Sequence, residues 1–135
     1  MSQENVDLAR STYEAFAEGD IERVIAVFDP QIEWVEPEVP GLPEAGTHRG
    51  SDAIVQNVFA PAETDWEDFA AEPNAYYDAG DVVVVTGTFR GRSKKGGGRM
   101  NAPFAHVLHV RDGKLVRFED YFDTANELAA IRGDS

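Results

Sequence analysis

The chain of 135 residues contains no cysteine, which excludes disulfides, thiolate metal sites and cysteine nucleophiles. It is also short of positive charge. Twelve Lys and Arg stand against 25 Asp and Glu, a formal charge of −13, so Coulomb repulsion opposes binding to phosphate backbones and anionic lipid. Neither nucleic acid nor membrane is an expected partner; a neutral small molecule or another protein surface is. No apolar run approaches the ~18 residues of a membrane span, and "MSQENVDLAR" lacks the basic-then-apolar order of an export signal, so a cytoplasmic location is expected. "GTFRGRSKKGGGR" is glycine-rich without the GK[ST] ending of a phosphate-binding loop, and no G-x-S-x-G element offers a serine nucleophile. The three histidines, His48, His106 and His109, are not at metal-ligand spacing. Neither a metal nor another cofactor is expected.

What is present suits one domain spanning residues 1–135, with 42% hydrophobic residues for a single core. Val6, Ala9, Tyr13, Phe16 and Ala17 recur at spacings of three and four, predicting an amphipathic helix over residues 3 to 18 that Gly19 ends. Asp20 is positioned to cap a second helix running through Phe28, with Pro30 as its stop. "IEWVEP" reads as a short strand with Ile32, Trp34 and Glu36 on one face, "EVPGLPEAGTHRG" as a loop containing His48, and Ser51 as the cap of a third helix ended by Pro61. From about residue 65 the pattern is β: "WEDFAAEPNAYY", "DVVVVTGTFRGR", "NAPFAHVLHV" and "KLVRFEDYF", with "KKGGG" as a flexible, solvated tip. Asp123 or Thr124 caps a last short helix. Helices first and long strands afterwards predict an α+β fold with helices packed on one face of a curved, mostly antiparallel sheet.

The stretch "LVRFEDYFD" carries the strongest chemical signal. In an extended chain Val116, Phe118, Asp120 and Phe122 share one face and Leu115, Arg117, Glu119 and Tyr121 the other, so one carboxyl sits on an apolar face. A three-residue Arg111-Asp112-Gly113 loop would pair Val110 with Lys114 and make His106 and Asp120 diagonal neighbours on that face; a two-residue turn would put them on opposite sides. The three-residue loop is preferred, because it yields a continuous apolar face of Phe104, Leu108, Val110, Val116, Phe118 and Phe122. Acids among aromatic side chains lose hydration, and a carboxyl and an imidazole converging there have the types needed for proton transfer. The structural alternative is an acid satisfied by one hydrogen bond inside a core. Glu36, on the face of Trp34 and before Pro37, is a third candidate at the mouth of a pocket.

The order of helix, "GDIERVIAVF", "IEWVEP", "GTHRG", helix, "DVVVVTGTFRG" and "FAHVLHVRDGKLVRFEDYFDTA" resembles the nuclear transport factor 2-like superfamily, and within it the SnoaL-like polyketide cyclases and ketosteroid isomerase-related proteins. The resemblance implies a cone-shaped barrel of a strongly bent sheet around a deep apolar pocket, and a homodimer through the sheet. It implies that His106 and Asp120 face the pocket, with Asp120 as general base, and that Glu36 stands where the isomerases carry their base. Trp34, Phe104, Phe118, Phe122 and Tyr13 would line the pocket. The isomerases' oxyanion tyrosine falls on Thr12, with Tyr13 one residue on and turned about 100° around the helix. The epoxide hydrolases of the superfamily match at Asp120, but their second acid and arginine fall on Thr88 and Thr86. The reading is an enzyme using general acid–base catalysis on a hydrophobic carbonyl compound, as an isomerase or an aldol-type cyclase; the alternative is a noncatalytic ligand-binding or dimerisation module.

Overall fold

The computed structural model describes residues 3–133. Six strands form one sheet: β1 (Phe28–Glu36), β2 (Gly46–Arg49), β3 (Trp66–Ala79), β4 (Val82–Ser93), β5 (Arg99–Arg111) and β6 (Lys114–Phe122), in the order β2-β1-β6-β5-β4-β3. All neighbours are antiparallel except β1 and β6. The sheet does not close, since β2 and β3 are its edges. Pro73 fits the edge strand β3, where a missing N–H costs no ladder bond on the open side. Helices α1 (Gln3–Ala17) and α2 (Ile21–Ile25) cover the inner face, and α5 (Thr124–Arg132) packs on β5.

The β5–β6 hairpin differs from expectation in a way that decides the site. Arg111 pairs with Lys114 across a two-residue Asp112-Gly113 turn, both turn residues having positive φ as a type I′ turn requires. Alternation alone would then send His106 and Asp120 to opposite faces. A bulge prevents this: Val110 faces Leu115 but His109 faces Arg117, so Val116 is an extra residue, placed on the outer side beside Arg117. Leu115 turns inward instead and is buried. Beyond the bulge Leu108 faces Phe118, His106 faces Asp120 directly rather than diagonally, and Phe104 faces Phe122.

Five helical or loop expectations are corrected. The second helix stops at Ile25, and Phe28 begins β1 by pairing with Leu115; Pro30 sits in that strand where its register slips between Phe28 and Glu33. "GTHR" is not loop but strand β2. The third helix begins at Ser51 without a side-chain cap and does not end at Pro61: α3 (Ser51–Ile54) widens into a π turn (Val55–Phe59) and continues as α4 (Ala60–Asp65). The widened turn just before Pro61 absorbs the missing N–H and the ring's bulk. The glycine tip is not free, since Gly98 N–H donates to Ala130 O of α5 and a Cβ on Gly96 would strike Ile131 O. In α1 Val6, Ala9, Tyr13 and Ala15 are buried and Phe16 packs against the core and lines the cavity, while Ala17 is exposed. Asp123 is the cap of α5, its side chain accepting from Asn126 N–H.

Candidate active site

Between the inner face of the sheet, α1 and the π turn lies a cavity of about 110 Å³. Its walls are the apolar residues the strands alternate inward, among them Leu108 and Leu115, and the rings of Trp34, Phe59, Phe118 and Phe122. Trp34 and Phe118 are register partners on β1 and β6, and their rings stack at 3.7 Å between centroids. Phe104 is buried behind the site, its ring stacked on His106 at 3.9 Å. Its volume is of the order of the ~150 Å³ apolar cavity known to take benzene, so one ring fills it unless the roof shifts.

Three elements bring the polar groups together. His106 projects from β5 and Asp120 from β6, both buried, with His106 Nε2 at 2.9 Å from Asp120 Oδ1. The oxygen lies off the N–H axis, so this close contact is not a formed hydrogen bond, and both atoms keep bonding capacity. On the other side of the ring, the Tyr13 hydroxyl from α1 is 2.5 Å from His106 Nδ1. Burial first, then the nearby Asp120 charge, push the Tyr13 phenol well above its ordinary range. It therefore stays protonated and donates to Nδ1, which puts the proton of a neutral His106 on Nε2, facing Asp120. Tyr13 thus reaches the cavity, as does its neighbour Thr12, whose hydroxyl turns back to Leu8 O.

Glu36 is not at a pocket mouth. It is 3% exposed, at the end of β1, with Oε2 accepting from Trp34 Nε1 at 2.8 Å. Burial pushes its carboxyl well above the carboxylate range; the charge and hydrogen-bonding reach of Asp120 add to this, and the Trp34 bond opposes it. Glu36 is the protonated member of an acid pair and Asp120 its partner. Two acids that sequence reasoning missed also line the cavity. Glu127, on α5, is 5% exposed and pushed up to about 10 by burial and by its neighbour Glu44, to which it hydrogen-bonds. Glu127 stands three residues before buried Ala130, so an acid on the inner stripe of a helix was visible; Glu44 in its loop gave no signal. His48 lies half-buried on β2 and donates from Nε2 to Glu44 O at 2.7 Å. His109 is on the outer face, 3.3 Å from Glu119. Among the described residues no group of three acids or histidines is spaced to hold a metal ion.

The model of the SnoaL-like domain matches residues 9–118. The chain belongs to that family. This SnoaL-like protein is 34% identical to an NTF2-like protein of Burkholderia thailandensis, whose crystal structure superposes with a TM-score of 0.87 over 93% of this chain and 95% of that one. It is 32% identical to TerC, crystallised with polyporic acid, at a TM-score of 0.84 over 95% of this chain and 98% of that one. An uncharacterized protein of Mycobacterium tuberculosis is 28% identical over 120 residues, covering 87% of this chain and 88% of the relative. The family includes cyclases and isomerase-like proteins, and the α+β fold with a curled sheet is that of the NTF2-like structures.

Proposed function

We propose that this SnoaL-like protein is an enzyme that moves a proton next to a carbonyl group of a hydrophobic small molecule. The observation that carries the reading is the buried Tyr13–His106–Asp120–Glu36 chain, ending in a cavity, with Asp120 Oδ1 and His106 Nε2 both left free to meet a guest. The crystallisation of TerC with polyporic acid supports a small molecule as the occupant at this level of similarity.

In the proposed step the Asp120 carboxylate takes a proton from the carbon beside the carbonyl. The C–H bond breaks and its electron pair moves to the carbonyl oxygen, where the Nε2 proton of His106 meets the developing negative charge. Tyr13 holds the imidazole in the tautomer that makes this possible. Glu36, whose carboxyl burial holds well above its ordinary range, carries a proton beside Asp120 and can supply it to the enolate. Return of the proton to another carbon gives isomerisation; attack of the enolate on a second carbonyl gives ring closure.

The test uses 3-cyclohexen-1-one, a one-ring ketone whose isomerisation produces a conjugated enone seen by absorbance, with exchange of its α-protons in deuterium oxide followed by NMR. Both rates should exceed the buffer background and fall by about 10²–10⁴ in Asp120→Asn, which keeps the shape of the side chain. Equal rates in wild type and variant would refute the role of Asp120.

A further inference from the structure

We propose that the cavity is shaped for an organic cation: a ligand carrying a protonated nitrogen beside its apolar ring, held by the carboxyls of Glu36, Asp120, Glu44 and Glu127. This rests on the reading of the cavity as a ligand site and names the chemistry of its occupant. The lining contains Glu36, Glu44, Asp65, Asp120 and Glu127, and neither Lys nor Arg. An assembly of acids is by itself no site, but here two buried oxygens lack a formed hydrogen bond, Asp120 Oδ1 having only the off-axis His106 Nε2 at 2.9 Å. Glu36 Oε1 and Asp120 Oδ1 receive no hydrogen bond from any described residue, although Glu36 is 3% and Asp120 5% exposed. Native structures rarely leave such atoms unmet, and those that are unmet belong to catalytic groups or are met by a bound ion or water.

The His106 Nε2 proton can meet the carbonyl oxygen of the proposed substrate, but among the lining acids a nitrogen on the same molecule finds a surplus of acceptors. An ammonium group brings three N–H donors and the opposite charge. The rings of Trp34, Phe59 and Phe118 line the same space, and aromatic faces attract cations. Among the described residues no three acids and histidines are placed to chelate a metal ion, and the spread of the lining acids suits a larger cation with shared contacts. The chain's charge of −13 draws cations toward it from solution.

Without a cation, protons balance these acids. Glu127 faces Glu44 from its loop and Asp120 from β6; Glu36 faces Asp120 and Glu44; and Glu44 faces Glu127, Asp120 and His48. Burial raises Glu36, Glu44 and Glu127, and the Asp120 charge adds to each, while the Glu127 hydrogen bond opposes the rise at Glu44; Glu127 and Glu44 so keep a proton between them. When the ammonium enters, a carboxyl proton leaves to solvent and the N–H donors take its place. The balance is one cation in and about one proton out.

The experiment compares benzylamine, protonated at pH 7.5, with benzyl alcohol, its neutral counterpart of one-ring size. Calorimetry in two buffers of different ionisation heat reads affinity and proton release, and the Trp34 indole N–H signal reports whether the cavity is occupied. Benzylamine should bind at least about tenfold more tightly and release protons, whereas the alcohol moves none. Glu127→Gln should weaken the amine by at least about fivefold and leave the alcohol unchanged; Glu44→Gln serves if that variant does not fold. If the alcohol perturbs Trp34 as strongly as the amine, or the amine releases no proton, the cation proposal is overturned while the ligand site stands. If neither probe perturbs Trp34, the ligand-site reading falls with it.

Discussion

Tyr13 is a single phenol whose hydroxyl decides what His106 can do. With the phenol kept protonated by burial and by Asp120, its O–H occupies Nδ1 and directs the imidazole proton toward the cavity. Tyr13→Phe removes that donor from a buried acceptor, at a cost of about 1–3 kcal/mol in stability. The proton should then divide between the two ring nitrogens, which nitrogen-15 shifts of the imidazole will record, and turnover should fall about tenfold. Glu127 gives a prediction in pH. Its folded carboxyl titrates at about 10, against ~4.3 in an unfolded chain. Between those values the folded state binds the extra proton, so this residue's contribution to stability is full below the unfolded value and declines as pH rises toward the folded one. Glu127→Gln removes the decline. Calorimetric melting at pH 5 and pH 9 should show the variant gaining on wild type at the higher pH, by up to about 5 kcal/mol at full linkage and by at least roughly 3–5 °C.

At the scale of elements, the site depends on two irregularities and one glycine. The Asp112-Gly113 turn sets the wrong parity for a shared face and the Val116 bulge restores it, which is why a one-residue error in the predicted loop still left His106 and Asp120 together. The π turn before Pro61 carries Val58 and Phe59 to the cavity, where a helix ending at the proline would have left the roof shorter. Gly87 lies on β4 where it crosses Phe104 of β5 and Pro73 of β3. A Cβ there would lie 2.3 Å from Glu72 O and 2.5 Å from Phe104 Cζ, and the ring it would displace is stacked on His106. Gly87→Ala should therefore destabilise by about 1–3 kcal/mol in urea unfolding. It should also lower activity, because backbone on one side leaves only the Phe104 ring to give way.

For the whole molecule, the two faces of the sheet have separate work. The inner face is closed by helices and holds the cavity, while the outer face presents Tyr77 and Tyr121, the large exposed aromatics at 55% and 57% exposure. We propose that a second copy covers this face, as the family resemblance implies. Sedimentation of wild type should give twice the chain mass, and Tyr121→Glu, set beside Glu119, should give the single-chain mass through like-charge repulsion. A wild-type protein of single-chain mass at tens of micromolar would end that proposal. None of the described helices is long and apolar enough to cross a membrane.

Because alternation and helical spacing are local properties of a chain, the sequence by itself determined the α+β order and the placing of His106, Asp120, Trp34 and Phe118 among apolar partners, though not the inward turn of Leu115 in place of Val116. Only the tertiary structure decided how those faces meet. A bulge exists only between two paired strands, so neither its position nor the direct opposition of His106 and Asp120 is written in either strand alone. The depth of Glu36, the reach of Tyr13 to the imidazole and the meeting of Glu44 with Glu127 depend on a curled sheet drawing distant segments around one cavity. There, burial raises the proton affinity of acids that water would leave ionised.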